Sequence, residues 1–218
     1  MLATAKLDRT ILLDQAYDVL KERILDRAVA PGQKLNIDAL ARELTVSSTP
    51  IREALGRLVA EGLVCFEPYV GFRVTPMPER RFFEDLFAFR LMIEPWAAGE
   101  AAVHRDTAVL AGLEAAVAAM REGTLSKTYR SFRSYSEADQ AFHEAIFAGT
   151  GNEAAARAYG ALRVHLHISR LYIDREQDTE VSLAEHEAVL AAIGRRDPAA
   201  ARQAMAGHIR SSQDKLLD

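Results

Sequence analysis

Cysteine is almost absent from this chain: Cys65 is the only one. An internal disulfide is therefore excluded, and a lone thiol inside the apolar run LVCFEP reads as packing, in keeping with a reducing compartment. Long apolar runs are missing as well. No stretch approaches the roughly 18 uninterrupted apolar residues that suggest a bilayer span, so no membrane partner is expected. The N-terminus MLATAKLDRTILLDQ lacks a basic leader followed by an apolar core, and the expected location is cytoplasmic. Nor is there a cationic excess, since the formal net charge is −4. Residues 1–75 hold 10 Lys and Arg against 10 Asp and Glu, whereas residues 76–218 hold 17 against 21. The acid excess thus sits in the second part. A neutral front part can still bind DNA if its cations share one face, because phosphate attraction is local and screened within roughly 10 Å.

What is present is an ordinary globular composition, 49% hydrophobic and 27% charged over 218 residues, with room for two domains. Residues 14–28 place Ala16, Val19, Leu20, Ile24 and Leu25 on one helical stripe, which Pro31-Gly32 ends. A short helix fits 37–44 with Asn36 as N-cap. A third fits 49–61, with Ser48 as cap and Pro50 in the tolerated first turn, stopping at Gly62. The β-prone runs LVCFEP and GFRVTP then bracket residues 68–71 as a small hairpin. Three helices and a hairpin describe a winged helix-turn-helix over 1–75. After a linker at 76–78, the grammar is helical throughout 79–218, with spans at 78–104, 106–122, 127–149, 152–175, 179–194 and 197–217. The expected fold is mainly α: the winged helix plus an all-α bundle of six helices.

Two sets of residues carry chemistry. At the front, the second helix of the motif would enter the major groove by its N-terminal end, Ser47-Ser48-Thr49-Pro50-Ile51-Arg52. Hydroxyls and an Arg one turn in suit phosphates and base edges; the bland alternative is capping by Ser48 and Thr49, with Arg52 paired to Glu43 or Glu53. Arg42 and Arg73 are further candidate phosphate contacts by charge and position. In the second part, Asp139 and His143 lie four apart, on one face of a helix, and His186 and His208 sit in two later helical runs. One carboxylate and three imidazoles suit zinc, or another divalent transition metal such as nickel. Spacing alone leaves open a shared metal site or three separately satisfied histidines. Arg90 shares a stripe with Phe83, Leu86, Phe87 and Ala97, so it faces inward. An inward Arg needs a partner, either a ligand's carboxylate or Glu94 one turn along. His165 and His167, two apart on one helix, face different directions and are expected at the surface or a pocket rim. Trp96 with Pro95 is expected to pack at a helix kink. The HExxH spacing of zinc hydrolases is absent.

The stretch 39–64, ALARELTVSSTPIREALGRLVAEGLV, resembles the winged helix of the GntR family of bacterial regulators through its TPIREAL core and RL-x-x-EGLV tail. The helical remainder resembles the FCD effector domain of the FadR subfamily, with Arg90-x-x-x-Glu94, Asp139-x-x-x-His143, Gly151-Asn152, Glu185-His186 and His208 as landmarks. Six effector helices make it similar to the VanR-type branch. The resemblance implies a metal held by Asp139, His143, His186 and His208, ligand binding at Arg90 and Asn152, and DNA contacts at Thr49, Arg52 and Gly71. Ser48 stands where members commonly carry a guanine-reading Arg, so no operator sequence is carried over. The whole reading is a dimeric, ligand-responsive transcriptional regulator, expected to repress. It would bind a pseudo-palindromic operator and sense a small carboxylate-containing metabolite, with no catalytic residues. The alternatives are a metal-dependent hydrolase with an appended DNA-binding domain, and a regulator whose metal is purely structural.

Overall fold

The computed structural model describes residues 9–104, 106–123, 129–171 and 179–217. Contacts divide the chain into two compact units, one up to Met77 and one from Pro78 onward. The first unit is built from α1 (Arg9–Leu25), β1 (Lys34–Leu35), α2 (Ile37–Glu43), α3 (Ser48–Ala60), β2 (Val64–Glu67) and β3 (Gly71–Val74). Leu13, Ala16, Leu20 and Ile24 of α1 meet Ile51, Ala54, Leu55 and Leu58 of α3 in a buried core. Each fully buried Leu or Ile there contributes about 1.5–3 kcal/mol of transfer free energy. Asn36 caps α2 as its sequence position suggests, its Oδ1 accepting from the Ala39 amide at 3.0 Å.

Three details differ from the sequence reading. Helix α1 starts at Arg9 and stops at Leu25, not at 14 and 28. The cap of α3 is Ser47, which makes no side-chain capping bond, while Ser48 is already helical. The hairpin also gains a third strand: β1 pairs antiparallel with β3, giving the order β1-β3-β2. Two residues are too few to announce a strand by alternation. Gly71 opens β3 with φ +98°, a backbone state that side chains with a Cβ rarely adopt.

The second unit is all helical: α4 (Arg80–His104), α5 (Thr107–Glu122), α6 (Tyr129–Gly149), α7 (Glu153–Leu162), α8 (Val164–Ser169), α9 (Thr179–Gly194) and α10 (Pro198–Leu217). The single helix expected over 152–175 is two. Arg163 takes a left-handed backbone (φ 48°, ψ 44°) and ends α7 while starting α8. The described residues therefore hold seven helices here, not six, and residues 172–175 of that expected span lie outside them. Helix α4 packs along α10 and α6, and α5 packs on α6. The end of α6 comes so close to its neighbours that a Cβ at Gly149 would stand 2.9 Å from Val109 and 3.1 Å from Ala101. Pro95 lies within α4, and Trp96 beside it is 36% exposed, not packed as expected. No helix of the described residues is long and apolar enough to cross a membrane.

Candidate metal centre and nucleic-acid interface

Three helices of the second unit deliver four polar side chains into an otherwise apolar core. Asp139 and His143 come from α6, His186 from α9 and His208 from α10; one ligand atom from each lies within 4.8 Å of the others. Two ligands opposite each other at bonds of about 2.1 Å would be about 4.2 Å apart, so the set needs little contraction to close on one ion. His143, His186 and His208 are all buried.

The outer contacts decide which ring nitrogen faces inward. His186 Nδ1 meets the Ser182 carbonyl at 2.7 Å. A carbonyl only accepts, so Nδ1 carries the hydrogen, and in the neutral imidazole Nε2 is a lone pair. His208 Nδ1 meets Glu185 Oε2 at 3.0 Å with the same consequence. His143 Nδ1 faces Glu94 Oε2 at 2.7 Å, a contact too poorly aligned to count as a hydrogen bond. Thus an outer oxygen stands at Nδ1 of each histidine, leaving three Nε2 atoms for the interior. That is the outer arrangement that orients imidazoles on metals. Two inner atoms lack any hydrogen-bond partner, Nε2 of His143 and Nε2 of His186. The second stands 2.9 Å from Asp139 Oδ1. Two acceptors facing each other with no shared proton repel unless a cation lies between them.

The electrostatics agree. Burial pushes the His143 imidazole below its ordinary range, with Glu94 opposing in part. Burial, aided by His186, pushes His208 down to about 3. Both are therefore neutral near pH 7, the form that ligates metals. Burial alone would raise the Asp139 carboxyl, yet His165, whose Nδ1 lies 2.7 Å from Oδ2, holds it well below its ordinary value, as a carboxylate.

Glu94 was foreseen only as a partner for Arg90, its place and that of Glu185 behind the histidines were not foreseen, and one expectation is overturned. His165 is buried, and its Nδ1 hydrogen-bonds Asp139 Oδ2 at 2.7 Å. His165 and His167 do face different directions, as two residues of one helix must, but His165, in the first turn of α8, is turned into the core and not to the surface or a pocket rim. No glycine marks the break at Arg163. His167 is partly exposed, edge-on to the Phe82 ring at 4.9 Å. Arg90 faces inward at 2% exposure and is clamped by Glu94: Nε donates to Oε1 at 2.6 Å and a terminal nitrogen to Oε2 at 3.3 Å. Tyr159, stacked on Phe147 at 4.1 Å, adds its hydroxyl to Glu94 Oε1 at 3.2 Å. Burial would raise the Glu94 carboxyl, but Arg90 and His143 hold it far below the ordinary carboxylate range. Asn152 is exposed, and its side chain caps α7 by accepting from the Ala155 amide at 3.0 Å.

In the first unit the front-end residues point outward. Arg42, Ser47, Thr49 and Arg52 are exposed, and Ser48 is half-buried. None of the five has a side-chain hydrogen bond or ion pair among the described residues. The pairing of Arg52 with Glu43 does not form, because Glu43 is taken by Arg23 at 2.8 Å. Arg52 instead lines an open cleft of about 250 Å³ with Lys34, Asn36, Phe66, Gly71 and Phe72. Lys34 is the cation that sequence reasoning overlooked there, since it belongs to the unforeseen β1. Arg73 is less available than its position suggested, as it donates to the Gly32 carbonyl at 3.0 Å and lies 3.5 Å from Glu67.

Comparison with known proteins agrees in both units. Residues 12–74 match the family described as "Bacterial regulatory proteins, gntR family", and residues 85–211 match the FCD domain. The HTH-type transcriptional regulator BphR of Paraburkholderia xenovorans is 30% identical over 62% of this chain. The HTH-type transcriptional repressor GlaR of Escherichia coli is 31% identical over 66% of it. The chain spans 56% and 65% of the lengths of these two relatives. Among solved structures, E. coli McbR/YncC superposes with a TM-score of 0.68 over 94% of this chain and 96% of its own. A GntR regulator from Rhodococcus sp. RHA1 gives 0.66 over 94% and 97%. Both are 20% identical, a level that speaks to fold alone.

Proposed function

We infer the function from the family: the chain belongs to the GntR family of bacterial regulatory proteins and carries an FCD domain, a class of transcriptional regulators and not enzymes. GntR regulators bind operator DNA and effector metabolites. We propose that this chain is a dimeric repressor whose second unit holds one divalent ion, zinc or nickel, and senses a small organic acid through it. Repression is favoured because relatives such as GlaR carry that name. Asp139, His143, His186 and His208 are the proposed ligands, and residues up to about 75 the proposed DNA-binding domain, with 76–78 as linker. The observation that carries the metal reading is the pair of bare acceptors, His186 Nε2 and Asp139 Oδ1, at 2.9 Å. A bound divalent ion would supply a Lewis-acidic coordination position, the chemistry that recognises a carboxylate.

The effector's acidity rests on a smaller charge surplus than the ligand set and Arg90 would give by themselves. One carboxylate and three neutral imidazoles leave one positive charge of a divalent ion uncompensated. The charge of Arg90 adds nothing, because Glu94 cancels it at 2.6 Å. An effector carboxylate would therefore meet the metal's surplus and compete with Glu94 for Arg90. Dimerisation follows from what operator binding requires: one winged helix buries little surface, whereas two half-sites multiply affinity and fix a spacing. The exposed hydroxyls of Ser47 and Thr49, with Arg42 and Arg52, are the proposed DNA contacts beside Ser48, Gly71 and Arg73.

The test uses the full chain, zinc-loaded or chelator-treated, and a duplex that the protein itself selects from a random-sequence pool. Binding is followed by fluorescence anisotropy while a panel of di- and tricarboxylates is added. The reading expects at least one carboxylate to release the zinc-loaded protein and to lose that effect after chelation. Release that is indifferent to chelation would overturn the metal's sensory role. Failure to select any duplex would overturn the DNA-binding role.

A further inference from the structure

Behind the four candidate ligands lies a second set of buried polar groups whose connections form a closed circuit. Glu94 on α4 touches three partners: Arg90 at 2.6 Å, Tyr159 at 3.2 Å and His143 Nδ1 at 2.7 Å. The Tyr159 hydroxyl also lies 3.3 Å from His165 Nε2, and His165 Nδ1 lies 2.7 Å from Asp139 Oδ2. The circuit thus leaves Glu94 in two directions and arrives at both ligands carried by α6, His143 directly and Asp139 through Tyr159 and His165. His186 and His208 are outside it, since their outer partners are Ser182 and Glu185 on α9. Half of the site is braced from α9; the other half depends on a single carboxylate.

We propose that Glu94 is a positioning residue that couples Arg90 to the metal centre, by fixing which nitrogen of His143 faces the site. This rests on the reading that the four-residue cluster holds a metal. A carboxylate oxygen 2.7 Å from Nδ1, even off the ideal hydrogen-bond axis, repels a lone pair there and attracts a hydrogen. The hydrogen therefore sits on Nδ1, and Nε2 is left bare. Arg90 in turn fixes Glu94 from the far side, with two donors on its two oxygens. Any anion that draws Arg90 away releases Glu94, and with it the orientation of His143 and the chain to Asp139. Metal and Arg90 are then two ends of one lever, not two independent anchors.

Glu94→Gln tests this with almost no change in volume. The amide oxygen stays toward Arg90 Nε and the Tyr159 hydroxyl, which are donors, so the amide NH2 turns to His143. An NH2 donor there moves the imidazole hydrogen to Nε2 and blocks ligation. Two readouts apply to the metal-stripped full chain: the protonated nitrogen of His143 by ¹⁵N–¹H NMR, and zinc affinity by competition with a chelator. Expected are a hydrogen on Nδ1 in the parent, its shift to Nε2 in Glu94→Gln, and zinc affinity lower by about 10–100-fold, the range typical of lost outer-shell partners. Tyr159→Phe, which keeps the stacked ring, should leave the His143 tautomer unchanged and weaken zinc by less. A parent with the hydrogen on Nε2, or a Glu94→Gln chain with parental tautomer and affinity, would overturn the proposal. If Glu94→Gln does not fold, the parent spectrum decides alone. If the parent binds no zinc at all, the metal reading fails, while the tautomer assignment still judges Glu94.

Discussion

In the first unit Arg42 and Arg52 stand exposed with no ion pair among the described residues, whereas in the second Arg90 is 2% exposed and clamped by Glu94 at 2.6 Å. The same side chain serves opposite ends. A guanidinium in water needs no partner, so leaving it free costs nothing and keeps it available to a polyanion such as DNA. A guanidinium in the core must be matched, because an uncompensated buried charge costs several kcal/mol. Net charge is consequently a poor guide to this protein. What distinguishes Arg42 and Arg52 from Arg90 is whether the cation is left open or closed off.

The largest expected effect comes from breaking the closed pair. Arg90→Ala leaves Glu94 buried beside His143 without its main counter-charge and should destabilise the metal-free chain by about 3–5 kcal/mol, read by denaturant unfolding. A loss below about 1 kcal/mol would mean that the pair is wetter than its burial indicates. An intermediate effect is expected at the open end. Arg52→Ala should weaken binding to a selected duplex by about 1–3 kcal/mol per half-site while leaving unfolding unchanged. Parental affinity would show that Arg52 faces water in the complex too. The smallest effect belongs to a pair with the spacing of Arg90 and Glu94 but none of the burial. Arg157 and Glu153 also meet at 2.6 Å four residues apart, at 78% and 79% exposure. A double-mutant cycle there should yield about 0.5 kcal/mol or less, falling with salt. A coupling comparable to that of Arg90 would undo the contrast.

The parts of this molecule that were legible in the sequence are those set by neighbours along the chain. Asn36 caps α2 because cap and amide are three residues apart, and the apolar stripe of α4 turns Arg90 inward because 3.6 residues make a turn. The four candidate ligands were visible as residue types, and their convergence needed only that the helices pack. Their outer contacts were not visible, although Glu94 could be named as a partner for Arg90. Glu94 lies 49 positions from His143 and meets it only through the packing of α4 on α6. His165 was misplaced because a two-residue spacing shows only that it and His167 face different ways, not which of them faces the core; and Arg163 adopts a left-handed backbone without being glycine, so the end of α7 has no sign in the composition. The strand β1 was too short to show a period, and with it Lys34 went unnoticed beside Arg52.

The central claim is that Asp139, His143, His186 and His208 form one metal centre, and metal content measures it directly. Elemental analysis of the purified full chain, beside a His186→Ala, His208→Ala double variant, should find about one divalent ion per parental chain and almost none in the variant. Reloading both with zinc after chelation should repeat the difference. A parent that holds no ion after reloading, or a double variant as fully occupied as the parent, would contradict the account.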